Sequence, residues 1–145
     1  MASQRTAVAF YRRKKPIGNL HLWHWAADCR CPQQGMPQVL DAIGFDSIIK
    51  DADLIITGEG KIDSQTLTGK TPYGVLQRAK LQGIPVVAIG GSVQLDSEDA
   101  TRVGFAAVLQ VTPPGMPLHD AMNPEIASEN ICRTILSFVT QSTIE

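Results

Sequence analysis

Short apolar runs alternate with amphipathic stretches along most of the chain. Three runs rich in branched or small apolar residues occur at 53–57, 85–90 and 105–111, and none alternates strictly between polar and apolar positions. Strands that are buried on both faces show this pattern, as in a parallel sheet covered by helices. The pattern therefore predicts three strands, all parallel, with 53–57 beside 85–90.

Stretches with helical periodicity separate these runs. Caps and stops mark their ends, because Asp, Ser and Asn favour helix starts and glycine favours helix ends. The predicted helices begin at Pro37, near Thr71, at an Asp96 or Ser97 cap and after an Asn123 cap, and the second and third end at Gly83 and Gly104. The last helix is predicted to place one apolar face inward: Ile126, Ile131, Ile135, Leu136, Phe138 and Val139.

The alternation of helices and strands predicts an α/β fold. More specifically, it favours a three-layer, Rossmann-like parallel sheet fragment with helices on both faces. Three strands make a small sheet, so at least one edge needs another strand. We therefore expect the chain to self-associate through an open sheet edge.

Length and composition narrow the class of protein. The chain has 145 residues, 43% of them hydrophobic, and a net charge of -1. These values predict one soluble globular domain, with no nucleic acid and no membrane as partner. Three cysteines do not form a disulfide framework, which favours the cytoplasm.

The first 36 residues differ in composition from the rest. They carry six Lys or Arg against one acid, whereas residues 37–145 carry seven against thirteen. We predict that residues 1–36 are a disordered or non-native extension apart from the core, and that 37–145 form the α/β portion. Two other interpretations stay open for the extension: a transit-peptide-like segment, and a metal site. The candidate metal ligands are His21, His24, Cys29 and Cys31, although their spacing matches no standard zinc module.

The stretch TGEGKIDSQTLTGKT, residues 57–71, carries the candidate chemistry. It is predicted as a long loop, 58–70, that leaves the carboxyl end of a central strand, where open α/β sheets bind ligands. Glycines, lysines, hydroxyl groups and the start of a helix near Thr71 all suit phosphate. The candidate binding residues are Thr57, Gly58, Gly60, Lys61, Ser64, Gln65 and Gly69, joined by Gly91 and Ser92 after the next strand.

Two acids in this stretch point beyond passive phosphate binding. Glu59 and Asp63 suit a site that holds Mg²⁺ or accepts a hydroxyl proton, as phosphoryl transfer requires. The stretch completes neither common phosphate motif. Ser64 stands where a P-loop needs its leading glycine, and Asp63 stands where a dinucleotide fingerprint needs its third.

The longer stretch DADLIITGEGKIDSQTLTGKTPYGV resembles the signature region of the bacterial type-1 glycerate kinase family. IPVVAIGGS, AAVLQVTPPGMPLHDAM and ASENICRT resemble later segments of the same family, so the resemblance spans about 39–138. It implies phosphorylation of D-glycerate at its 2-hydroxyl with ATP and Mg²⁺, by a two-domain enzyme with the substrate between the domains. It also implies catalytic roles: Asp63 and Glu59 on Mg²⁺ or the reacting hydroxyl, and Lys70 on a phosphate or the glycerate carboxylate.

The chain also departs from this family. Family enzymes are more than twice as long, and residues 1–36 do not resemble the glycine-rich segment that precedes this region in them. We therefore expect a truncated form, equivalent to the C-terminal portion, with little turnover by itself. The alternatives are an inactive folded remnant and a non-catalytic α/β binding module. A receiver-like module is disfavoured because 85–91 ends without a phosphoacceptor aspartate.

Overall fold

A computed structural model describes residues 7–11 and 36–142 of the chain. The strands are β1 Ala7–Tyr11, β2 Leu54–Ile62, β3 Val86–Val93 and β4 Ala107–Gln110. The helices are α1 Met36–Ala42, α2 Phe45–Ile49, α3 Thr71–Leu81, α4 Ser97–Val103, α5 Leu118–Ala121 and α6 Pro124–Ser142. A 3₁₀ helix, Ser64–Thr68, connects β2 to α3.

The four strands form one sheet in the order β1-β2-β3-β4. β2 and β3 pair in parallel, as do β3 and β4, so the predicted α/β fold with three parallel strands and interleaved helices is confirmed. β1 pairs with β2 in the antiparallel sense, with Ala7 opposite Gly58 and Tyr11 opposite Leu54. The prediction that every strand is parallel is therefore wrong at this edge.

β1 comes from the segment that the sequence analysis set apart from the core. Its five residues, AVAFY, are uncharged and apolar, but the basic residues around them dominated the composition. The outer edge of β2 needs a pairing partner, and this short run provides one. The rest of the predicted extension, including the four candidate zinc ligands, lies outside the described residues.

The core lies on both sides of the central strands. Ile55 of β2 belongs to a cluster with residues of α1 to α4, whereas its neighbour Ile56 packs with Ile135 and Phe138 of α6. Successive strand residues point to opposite faces, which explains why the β2 sequence is apolar without alternation. The larger cluster contains Leu40, Phe45, Ile49, Val75, Leu76, Ala79, Ile84 and Phe105.

The face of α6 differs in part from the predicted one. Ile135 and Phe138 pack on the sheet, but Leu136 is 65% exposed and Ile131 is 37% exposed. Adjacent residues on a helix point about 100° apart, so Leu136 cannot share the direction of Ile135. No helix in the described part of the chain has the length and apolarity that a bilayer crossing requires.

Helix starts follow the predicted caps. The Asp96 carboxylate accepts a hydrogen bond from the Glu98 N–H at 3.0 Å, and Asn123 accepts from the first turn of α6 at 2.9 Å. Gly104 ends α4 with a φ of 107°, a conformation that glycine adopts without strain. α2 and α5, which have only five and four residues, were not predicted from the sequence.

Candidate functional site

β2 continues well past its predicted end. It runs to Ile62, with Glu59 opposite Gly90 and Lys61 opposite Ser92 on β3. The prediction of a loop from 58 to 70 is therefore wrong: residues 58–62 are strand, and most of the remainder is the 3₁₀ helix. Glycine has a low strand propensity, so the sequence did not predict a strand at residues 58–62. Pairing with β3 holds these residues in an extended conformation.

Glycines allow β2 and β3 to approach each other closely beside the site. A Cβ at Gly58 would lie 2.8 Å from the Ile89 Cγ1 atom, and one at Gly91 would lie 2.8 Å from the Gly60 carbonyl oxygen. A Cβ at Gly60 would meet nothing within 4 Å. Gly58 and Gly91 thus have a packing reason to be glycine, whatever they bind.

Asp63 begins the 3₁₀ helix and is held by it. Its Oδ1 atom accepts hydrogen bonds from the backbone N–H groups of Gln65 at 3.1 Å and Thr66 at 3.3 Å. In return, the Asp63 N–H donates to the Thr66 hydroxyl at 3.2 Å. This reciprocal arrangement is a capping box, which fixes the carboxylate relative to the backbone.

Two lysines flank the Asp63 carboxylate. Lys70 Nζ lies 3.7 Å from Oδ1, and Lys61 Nζ lies 3.4 Å from Oδ2. The Lys70 side chain is 18% exposed and that of Lys61 is 50% exposed, so Lys70 is the better shielded partner. Partial burial opposes ionisation, but Lys70, Lys61 and the Thr66 N–H outweigh it and hold the pKa of Asp63 below its ordinary value.

Glu59 experiences the opposite environment. Burial raises the pKa of its carboxyl above the ordinary value, and the charge of Asp63 acts in the same direction. Lys70 and the Thr66 side chain oppose this increase without cancelling it. The Glu59 Oε2 atom is buried and has no hydrogen-bond partner among the described residues. Glu59 therefore has a free acceptor oxygen in a partly dry setting.

The other predicted binding residues occupy three different environments. Thr57 is fully buried, and its hydroxyl finds no partner within the described ranges. Ser64 and Gln65 are exposed on the 3₁₀ helix, and Ser92 is exposed near the end of β3. Gly69 ends the 3₁₀ helix with a φ of 127°, immediately before Lys70. Nothing in the structure tests their ligand roles, so these stay predictions.

Two residues that organise the site were not among the predicted site residues. Thr66 is fully buried and completes the capping box, and the spacing Asp63-x-x-Thr66 is the signal that predicts it. Gln110 connects the ends of β3 and β4: its side chain accepts from the Val93 N–H at 3.2 Å and donates to the Thr112 carbonyl at 2.9 Å. No local sequence pattern marks that contact.

The site can supply few metal ligands from this chain. Among residues 7–11 and 36–142, no group of three or more His, Cys, Asp or Glu side chains could hold a metal ion. Mg²⁺ commonly takes only one or two carboxylates and completes its shell with water and substrate phosphates. The Asp63 and Glu59 carboxylates thus fit Mg²⁺ that arrives with a nucleotide, but they do not form a closed cage.

Comparison with known proteins identifies relatives of this arrangement. The sequence profile of the glycerate kinase family matches residues 25–141. The glycerate kinase of Bacillus subtilis strain 168 is 47% identical over 102 residues, which are 70% of this chain and 26% of that protein. The glycerate 2-kinase of Escherichia coli K12 is 39% identical over 101 residues, again 70% and 26% of the two chains.

A solved structure agrees with these sequence matches. A crystal structure named for glycerate kinase 2, from Salmonella typhimurium LT2, superposes with a TM-score of 0.50 at 31% identity. The superposition covers 77% of this chain and 27% of that one. The chain therefore spans about a quarter of the length of the relatives that it matches.

Proposed function

The chain belongs to the glycerate kinase family, and from that premise we propose that it acts in the ATP-dependent phosphorylation of D-glycerate at the 2-hydroxyl. One observation carries the proposal: Glu59 and Asp63, four residues apart, have pKa values shifted in opposite directions beside Lys70. Pairs of carboxylates separated in this way divide the work of proton transfer and charge binding. The name of the Escherichia coli relative supports the 2-hydroxyl as the acceptor.

Glu59 is the proton acceptor in this proposal. Its raised pKa brings it closer to the operating pH, where a general base is most effective. Its Oε2 atom is unpartnered among the described residues and can receive the proton of the glycerate hydroxyl. The hydroxyl oxygen then attacks the terminal phosphorus of ATP, and the bond from that phosphorus to the bridging oxygen breaks to release ADP.

Asp63 is the charge-binding carboxylate. It remains ionised because Lys70 and Lys61 stabilise its negative form. Its Oδ2 atom faces the half-exposed Lys61, a contact that a stronger cation can replace. Asp63 would therefore hold Mg²⁺ together with ATP phosphates and water, and Mg²⁺ bound there neutralises charge on the phosphates. The Asp63 charge influences the Glu59 carboxyl, so Glu59 is the second carboxylate that we propose for the same cation.

Lys70 and the start of α3 bind the anionic groups. Lys70 lies at the N-terminal boundary of α3, where the helix dipole favours negative charge. Its ammonium group suits a phosphate or the glycerate carboxylate. The exposed Lys61, Ser64, Gln65 and Ser92 would complete the polar lining around it.

We also propose that the chain has a three-layer, Rossmann-like fold. α6 packs against one hydrophobic cluster and α1 to α4 against the other, which supports a three-layer, Rossmann-like sheet with helices on both faces. A cytoplasmic location stays a prediction from cysteine usage. The alternative to this proposal is a folded family member without turnover of its own.

A chimera tests the proposal. Residues 39–138 of this chain would replace the matched segment of the Bacillus subtilis relative, and glycerate-dependent ATP turnover would be measured. We expect turnover comparable with that of the parent enzyme. A chimera that unfolds like the parent but has no turnover would refute the proposal. Turnover in the same assay by the 145-residue chain itself would exclude the alternative of a family member without turnover of its own.

A further inference from the structure

Thr66 is fully buried and contacts both acids of the candidate site. It lies in the 3₁₀ helix that connects β2 to α3. Its hydroxyl oxygen accepts a hydrogen bond from the Asp63 N–H at 3.2 Å, and its side chain also forms a hydrogen bond with the Glu59 carboxyl. One side chain therefore connects Glu59 of β2 to the residue that begins the 3₁₀ helix.

The contacts of the Thr66 hydroxyl group determine where its proton goes. A hydroxyl group donates one hydrogen bond and accepts others through its lone pairs. The Asp63 N–H group is a donor, so it occupies a lone pair of the Thr66 oxygen and leaves the Thr66 proton free. An ionised carboxylate can only accept hydrogen bonds. The bond to Glu59 therefore runs from the Thr66 hydroxyl to the carboxylate.

This hydrogen bond distinguishes the two oxygens of Glu59. The Oε2 atom has no partner among the described residues, so the bond from Thr66 goes to Oε1. The last side-chain torsion of a glutamate is broad when nothing holds the carboxylate. A bond at Oε1 restricts that torsion and thereby fixes the direction of Oε2. Oε2 is the atom that accepts the proton in the proposed reaction.

The Asp63 carboxylate depends less on the Thr66 hydroxyl group than Glu59 does. Its Oδ1 atom accepts from the backbone N–H groups of Gln65 and Thr66, at 3.1 and 3.3 Å, and a change of side chain at residue 66 keeps both donors. Loss of the Thr66 hydroxyl group would remove only the acceptor of the Asp63 N–H. We therefore expect this loss to release the Glu59 carboxylate and to leave that of Asp63 in place.

We propose that Thr66 is a positioning residue: its hydroxyl group, held by the Asp63 N–H, fixes the Glu59 carboxylate in the orientation in which Oε2 meets the reacting hydroxyl group. Thr66 itself does not touch the substrate, because it is fully buried. The inference rests on the proposed function, in which Glu59 is the proton acceptor. It adds the support that holds a general base in its productive geometry.

Steady-state kinetics of the chimera test this role with two substitutions. Thr66→Val keeps the size of the side chain and loses the hydroxyl group, whereas Thr66→Ser keeps the hydroxyl group. Thr66→Val should lower kcat by about 10- to 100-fold, with little change in the half-saturating concentrations of Mg²⁺ and ATP. Thr66→Ser should retain most of kcat. Thr101→Val is the matched control: it removes an exposed hydroxyl group that donates to the Ser97 carbonyl, and kcat should not change.

A double substitution shows whether Thr66 acts through Glu59. In a Glu59→Gln background, Thr66→Val should lower kcat no further, because the base that it positions is gone. The same fold loss of kcat in both backgrounds would overturn the positioning role, and so would a normal kcat in Thr66→Val beside an impaired Glu59→Gln. A normal kcat in Glu59→Gln itself would instead refute the proposed base, and with it any catalytic use of Thr66.

Urea denaturation of the 145-residue chain tests the contact without turnover. Thr66→Val and Glu59→Met each remove one partner of the hydrogen bond, so the double variant should lose less stability than the sum of the single losses. Losses that add would overturn the contact. Thr101→Val with Glu59→Met should be additive, because Thr101 bonds to Ser97. If Thr66→Val does not fold, Thr66→Ala and Thr66→Ser, which differ only in the hydroxyl group, replace it in both experiments.

Discussion

The end of β2 that carries Glu59 and the 3₁₀ turn that carries Asp63 impose opposite conditions on the same functional group. At Asp63, backbone N–H groups and two lysines surround the carboxylate, and its pKa falls. At Glu59, burial dominates, one oxygen has no partner among the described residues, and the pKa rises. The comparison teaches that a short segment can shift the pKa values of two carboxyls in opposite directions.

The largest expected effect comes from exchanging each acid for its amide in the chimera. Glu59→Gln should lower kcat by about 10²- to 10⁴-fold with little change in KM, because a base acts only in the transition state. Asp63→Asn should mainly raise the concentration of Mg²⁺ and ATP that half-saturates the enzyme. Steady-state kinetics at varied Mg²⁺ and ATP measure both.

If Glu59→Gln and Asp63→Asn have equal effects on kcat and on the Mg²⁺ requirement, the two carboxylates do not have different roles. Asn is a good helix cap and keeps an acceptor oxygen, so Asp63→Asn should leave the fold intact. Glu98→Gln, the same acid-to-amide exchange at an exposed position of α4 outside the candidate site, is a matched control and should change kcat little.

Measurements of the free energy of unfolding distinguish the capping role of the Asp63 side chain from the role of its charge. Asp63→Ala should measurably reduce the free energy of unfolding, because the N–H groups of Gln65 and Thr66 lose their acceptor. Asp63→Asn should lose much less. Urea denaturation of the 145-residue chain measures both. A Glu59→Gln variant as unstable as Asp63→Ala would show that both acids have structural roles.

The pH dependence of stability should have opposite signs at the two acids. The folded state holds the Glu59 proton more tightly than the unfolded state does, so its contribution falls as pH rises from 4.5 through the raised pKa. The Asp63 contribution is lost as pH falls from 3.8 through the lowered pKa.

Denaturation curves over this pH range check the signs. Glu59→Gln should remove the decline above pH 4.5 and keep the one on the acid side. If the variant and the wild type remain parallel above that pH, the pKa of Glu59 is not raised in solution.

The smallest effect is expected at Lys61. This side chain is half exposed, so Lys61→Ala should change the free energy of unfolding by only a few tenths of a kcal/mol. Lys70→Ala should raise the pKa of Asp63 more than Lys61→Ala does, because Lys70 is the stronger charge influence. Carbon NMR titration of the Asp63 carboxyl measures this order, and the reverse order would assign the main partner to Lys61.

The sequence predicted the parts of this fold that depend on local signals. Apolar runs located β2, β3 and β4, and the caps at Asp96 and Asn123 located two helix starts, since these patterns act within a few residues. β1 was not predicted because its partners in β2 lie between 43 (Tyr11 to Leu54) and 51 (Ala7 to Gly58) residues away in sequence. Pairing at a sheet edge depends on which strand has an unpaired edge in the folded protein, and no local sequence pattern shows that.

The candidate site shows the same division. The sequence located Glu59, Asp63 and Lys70, and Asp63 and Lys70 do meet in the structure. It placed Gly58 in a loop, because glycine favours turns and its strand context comes from β3. It also treated the two acids as equivalent, since burial of Glu59 is a tertiary effect that composition cannot show.

The close approach of β2 and β3 affects how a glycine-rich signature should be interpreted across many related genes. Selection for folding alone would retain glycine at Gly58 and Gly91, where any side chain would meet the neighbouring strand. It would permit substitution at Gly60, where a Cβ meets nothing. A descendant that has lost catalysis would therefore keep Gly58 and Gly91 for a long time. Substitution of Gly60 would be the earlier sign of that loss.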